Sequence, residues 1–269
     1  MLLRDKFWLW GHPAGRYNLN EENFGCPDVS RMTPMECCLY LGIRNTFMVP
    51  VGVDVNRRQY NKSFTTLNNV GWECFEACEK PELIDNLIKE AADFSNISCV
   101  VIDDFKVLEN GVPKYKKMPV SALENINRKL HNNDVRKLDS WMVLYTFQFG
   151  IDAEEDREFQ PYMDEFDGVI MWTWEEKDVP LIPEKFELFK KYTPNTRRMA
   201  GCYLYNFGES KQATGDAVKW QLDWWREKLL NGEIEGIVLH TNTMADLDYE
   251  AYDVAIEWMK EHGDEIIPD

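Results

Sequence analysis

The chain has 269 residues, 44% of them hydrophobic and ten of them Trp, enough for a sizeable core in one barrel or in two ordinary domains. Its formal net charge is −17 and its pI about 4.7, which argues against a nucleic-acid backbone or an anionic membrane surface as partner, because both need a basic footprint. No apolar run approaches the roughly 18 residues of a membrane span, and the opening MLLRDKFWLWGHPAG turns polar too soon for a signal peptide.

In chain order, short apolar stretches alternate with amphipathic ones. Strands are predicted over 7–11 (FWLWG), 46–51 (TFMVPV), 70–76 (VGWECFE), 98–104 (SCVVIDD), 140–147 (SWMVLYTF), 167–174 (DGVIMWTW), 198–206 (RMAGCYLYN) and 235–242 (EGIVLHTN). Between the first two, Thr33-Pro34-Met35-Glu36 is a capping box with Pro at the first helical position. Residues 81–94 set Ile84, Leu87, Ile88 and Ala91 on one face, and 121–131 do the same with Leu123, Ile126 and Leu130. Residues 215–230 carry Val218, Leu222, Trp225 and Leu229 on one stripe before an Asn231-Gly232 stop, and 247–262 form a last helix. The stretches 53–67 and 152–166 are polar and read as partly loop, with the acidic run at 153–158 as a solvated loop.

Eight strands with about eight crossovers predict a single (β/α)8 barrel over 1–269, with a doubly wound open sheet as the alternative. The seven Cys include no CxxC, two are adjacent (Cys37, Cys38), and Cys74, Cys99 and Cys202 sit in apolar stretches. They read as reduced thiols in a cytoplasmic protein.

In such a barrel the site lies at the C-terminal ends of the strands. Those ends collect Trp10-Gly11-His12, then Arg16, Asn18 and Arg31 in the segment after strand 1, Asp103-Asp104, Gln148, Trp172-Thr173-Trp174-Glu175-Glu176, Tyr203, Asn206, His240 and Asn242. Carboxylates mixed with flat aromatic rings and planar amides suit sugars, whose hydroxyls need bidentate partners and whose C–H faces need aromatic surfaces. The bland alternatives are that the Asp pair caps a turn or pairs with Lys106, that Glu175 and Glu176 are solvated, and that Trp172 and Trp174 only pack.

The favoured expectation is a glycoside hydrolase-like enzyme acting on a small-molecule or oligosaccharide substrate. One of Asp103 and Asp104 would be nucleophile or charge stabiliser, and Glu175 or Glu176 general acid/base beside Trp172 and Trp174. His12, Arg31, Gln148, Tyr203, Asn206, His240 and Asn242 would hold the substrate. No cofactor is expected on this reading. The first alternative is a metal-assisted lyase, isomerase or hydrolase with a divalent ion such as Zn²⁺ or Mn²⁺ on His12, His240 and a carboxylate; the second is a sugar-binding barrel without catalysis. No HExxH, P-loop, GxGxxG or GxSxG is present.

The segments Trp10-Gly11-His12, SRMTPMECCLYLGIRNTFMV (30–49), VVIDDF (100–105), VLYTFQF (143–149), VIMWTW (169–174), GCYLYNFG (201–208) and GEIEGIVLHTN (232–242) resemble, in order, a family of bacterial TIM-barrel proteins without an established reaction. That resemblance implies the barrel. In the family the fifth strand often reads Tyr-Thr-His-Gln, where this chain has Phe147. A looser resemblance, by placement alone, is to retaining glycosidase barrels with carboxylates at the ends of strands 4 and 6.

Overall fold

The computed structural model describes residues 1–18, 24–26, 28–78 and 80–267. Eight strands close into one parallel barrel: β1 (Phe7–Gly11), β2 (Asn45–Met48), β3 (Asn69–Glu73), β4 (Ile97–Ile102), β5 (Asp139–Tyr145), β6 (Gly168–Trp172), β7 (Arg197–Tyr203) and β8 (Gly236–His240). Each pairs with its neighbours in sequence, and β8 returns to β1 with Phe7 opposite Ile237 and Trp10 opposite His240. That closure rules out the open sheet, which would leave two edges unpaired.

The connecting helices are α1 (Pro34–Leu41), α2 (Arg57–Ser63), α3 (Glu82–Asp93), α4 (Val120–His131), α5 (Ala153–Met163), α6 (Ile182–Tyr192), α7 (Gly215–Leu230) and α8 (Glu250–His262). The α1 capping box forms as expected: Thr33 Oγ1 accepts the Glu36 N–H, and the Glu36 carboxylate accepts the Thr33 N–H at 2.8 Å. In α3 the predicted stripe is buried through Ile84, Leu87 and Ala91, each large side chain contributing about 1.5–3 kcal/mol by leaving water.

Both polar stretches are partly loop as expected, but each also contains a helix, and the acidic run read as a solvated loop is helical. Asn56 caps α2 by accepting the Gln59 N–H. Asp152 caps α5 by accepting the N–H groups of Glu154 and Glu155. The acidic run is therefore a first helical turn, where negative charge meets the positive end of the helix dipole. Its Asp156 is buried and paired with the equally buried Lys106 at 3.2 Å.

Cys26, Cys37, Cys38, Cys74, Cys99 and Cys202 are all buried, and none of these six is in a disulfide. Among the described residues no helix is long and apolar enough to cross a membrane.

Candidate active site

A cavity of about 290 Å³ opens at the C-terminal ends of the strands. β1 and its following segment supply Trp10, His12, Arg16, Tyr17 and Phe24; the β4 end supplies Asp103 and Asp104; β5 supplies Tyr145 and Phe147; β6 supplies Trp172 and Trp174; β7 and β8 supply Tyr203, Phe207 and His240. The indole of Trp172 lies across β7 against Gly201, where a Cβ would come within 2.1 Å of the ring. Glycine at 201 is thus what lets this Trp lie 4.7 Å, centroid to centroid, from Tyr203. Among the described residues the Trp172 Nε1–H has no hydrogen-bond partner although it is buried.

Asp103 and Asp104 follow the last residue of β4 directly. Asp104 takes a left-handed backbone (φ 52°), tolerable for Asp because its short side chain bonds locally. Asp103 Oδ1 accepts the Asp104 N–H at 2.9 Å, and the Tyr145 hydroxyl donates to Asp104 Oδ1 at 3.3 Å. Burial holds Asp103 well above the ordinary carboxyl range, and the charges of Asp104 and Glu73 push the same way. Asp104 is also raised by burial, against the opposing pull of Lys114 and the Tyr145 hydroxyl. Glu73, the last residue of β3, is pushed up to about 7, chiefly by burial, although its Oε1 accepts the Phe75 N–H. Like charges crowded in a low dielectric disfavour full ionisation, so this group of acids retains protons near neutrality.

The other end of the cavity holds two histidines. His12 Nδ1–H donates to the Val49 carbonyl at 2.7 Å, since a carbonyl only accepts. That leaves the His12 Nε2 lone pair facing the Tyr17 hydroxyl at 3.1 Å and His240 Nε2 at 3.3 Å. Burial lowers His12 to about 4, opposed by its Val49 bond and reinforced by Arg16. His240 lies well below its usual value, first through burial and then through His12. Both rings are neutral at pH 7.

Of the sequence candidates, His12, Asp103, Asp104, Trp172, Trp174, Tyr203 and His240 come together around the cavity, and Glu175, Glu176, Arg31, Gln148, Asn206 and Asn242 do not line it. Glu176 turns away to accept the Thr214 N–H and hydroxyl at 2.8 and 3.1 Å, at the start of α7. Glu175 is ion-paired with Lys177. Arg31 lies in a separate surface groove, its backbone N–H bonded to Asp246. Gln148 Oε1 accepts the Tyr145 N–H at 3.0 Å. Asn206 accepts the Glu209 N–H at 3.2 Å and so caps a short turn after β7. Asn242 accepts the His12 N–H at 2.8 Å and donates to the carbonyls of His12 and Met32. The Asn18 side chain lies outside those described.

Among the described residues no three His, Cys, Asp or Glu side chains converge as a metal site. The ligand set expected for a metal-assisted reaction is thus reduced to two histidines without their carboxylate. Glu73, Tyr17, Phe24, Tyr145 and Phe207 were not singled out by sequence; Glu73 and Tyr145 fell inside predicted strands.

No protein-family profile and no curated protein matches the chain in sequence. Similar solved structures include active domain 2 of a thermostable chitinase from Pyrococcus furiosus (11% identity, TM-score 0.59, 97% of each chain covered). The GH99 endo-α-mannosidase of Bacteroides thetaiotaomicron is similar too (8%, TM-score 0.57, 97% of this chain and 98% of that one). So is tryptophan synthase from M. tuberculosis (8%, TM-score 0.50, 96% and 94%). These likenesses define the chain as a TIM barrel, a fold that the glycoside hydrolases share with enzymes of other chemistry.

Proposed function

We propose that the cavity binds a carbohydrate and hydrolyses a glycosidic bond, with the Asp103–Asp104 pair supplying the acid and the charge. What carries the reading is the pair itself: two adjacent half-buried carboxyls with raised pKa values in an aromatic cavity at the mouth of the barrel. Such a pair shares protons, so one member remains an acid while the other ionises. The acid form protonates the glycosidic oxygen as its bond to the anomeric carbon breaks. The ionised form stabilises the positive charge left on that carbon, and water supplies the new hydroxyl while its other proton restores the spent acid. Trp174 and Tyr203 offer ring surface to the sugar, and the chitinase and endo-α-mannosidase likenesses are consistent with this use of the fold.

A panel of aryl glycosides tests the reading. Asp103→Asn and Asp104→Asn are expected to lower turnover by roughly 10²–10⁴-fold, the usual worth of a positioned acid or base. One observation favours the non-catalytic alternative, namely that Glu175 and Glu176 are held outside the cavity. Sugar binding by the wild type with no turnover of any glycoside would make that alternative the correct one.

A further inference from the structure

We propose that the cavity takes its ligand as a cation: a small organic ammonium ion whose charge lies against Asp103 and Asp104 and whose flanks lie against Tyr145, Phe147 and Trp174. Within the carbohydrate reading above, on which the sugar arm of the test rests, the substrate is then an amino sugar with a free amine.

Nine of the lining residues are aromatic, and the negative π-faces of such rings attract ammonium ions. Phe147 is 54% exposed and stacks on Tyr145 (5.3 Å between centroids, 13° between planes), which carries an open aromatic face out to the rim.

The charges point the same way. Among the described residues neither Asp103 nor Asp104 is in an ion pair. Lys114 acts on both from outside the cavity lining, its ammonium 5.1 Å from the Phe75 ring. Among the described residues Arg16 is the one cation in the lining, and it is committed elsewhere: Nε donates to the Val51 carbonyl at 2.9 Å, and the guanidinium lies over Tyr17, on the His12 side. His12 and His240 are neutral and add no opposing charge. A bound ammonium ion would pair with the ionised member of the two carboxyls, so that its negative charge is no longer left unpaired in a low dielectric, while the other member keeps its proton as the acid.

Among the described residues two buried polar atoms of lining side chains have no partner, Trp172 Nε1 and His240 Nδ1. Buried polar groups are normally satisfied, so both point to a ligand that also carries hydroxyls, as an amino sugar does.

The test is a titration of the full chain at pH 6.5, followed by quenching of its Trp fluorescence. The probes are glucosamine, glucose, N-acetylglucosamine and tetramethylammonium. Glucosamine is expected to bind at least tenfold tighter than either neutral sugar. Asp104→Asn, checked for folding by circular dichroism, is expected to remove that preference. Should Asp104→Asn fail to fold, Phe147→Ala at the rim is expected to weaken glucosamine binding severalfold. Glucose binding as tightly as glucosamine overturns the cation inference and leaves the carbohydrate reading standing. Tetramethylammonium binding while no sugar binds supports the inference and removes the carbohydrate reading. No binding of either cation overturns the inference.

Discussion

At the scale of single residues, Glu73 ties the electrostatics of the cavity region to a stability measurement. Its pKa rises from 4.5 to about 7. Between those values the unfolded chain has lost this proton and the folded chain keeps it. The folded state is therefore favoured at low pH, and the advantage is lost as pH rises through about 7. The difference is on the order of 3 kcal/mol. Glu73→Gln keeps an oxygen for the Phe75 N–H and removes the titration. Its melting temperature is expected to exceed that of the wild type at pH 8 and to change less between pH 5 and 8. A variant whose pH profile parallels the wild type would show that Glu73 is not held protonated. Sequence could not single out this residue: Trp72-Glu73-Cys74 continues an apolar run, and nothing in the spelling says that the carboxyl faces other carboxyls.

At the scale of elements, the sequence located the strands well and their ends poorly. Seven of the eight predicted strands run past the observed C-terminal end, the overshoot being Asp103-Asp104 after β4, Thr146-Phe147 after β5 and Thr173-Trp174 after β6. Aromatic and β-branched residues read as strand by propensity, but here several of them line a cavity beyond the last ladder bond. The period-two rule also stops where the ladder stops, so it could not say which strand-end side chain turns inward. Glu176 shows the consequence, since it caps α7 through Thr214. Glu176→Ala is expected to lower stability by about 1 kcal/mol, the usual worth of a helix-end partner, and to leave glycoside turnover unchanged. Paired urea melts and rate measurements check both halves; a large loss of turnover would return Glu176 to the catalytic role its sequence position suggested. The helices α2 and α5 were poorly legible for a different reason. They lean on the Asn56 and Asp152 caps and on pairs such as Arg57–Glu90 and Lys106–Asp156, because α2 buries no apolar residue and α5 buries only Phe159 and Met163.

At the scale of the whole molecule, the barrel closes where β8 meets β1, and Asn242 secures that seam. Its amide satisfies both backbone groups of His12 and the Met32 carbonyl while fully buried. Asn242→Ala strands the two buried backbone groups of His12, at about 1–3 kcal/mol each, and the half-buried Met32 carbonyl besides. A loss of at least about 3 kcal/mol in urea unfolding is expected, and a loss under 1 kcal/mol would mean that the seam is held by strand pairing alone. The closed topology followed from the alternation of eight strands with helices, but the seam did not, because nothing in the sequence pairs position 12 with position 242. The buried cysteines give this architecture one more property. They are spread from the segment after β1 to β7, and burial pushes the thiols of Cys38, Cys99 and Cys202 up to about 12, so the reactive thiolate is scarce while the fold is intact. An alkylating reagent can therefore mark each position only when its surroundings open. Timed labelling read by peptide mass turns these cysteines into clocks that record, element by element, the order in which the barrel comes apart.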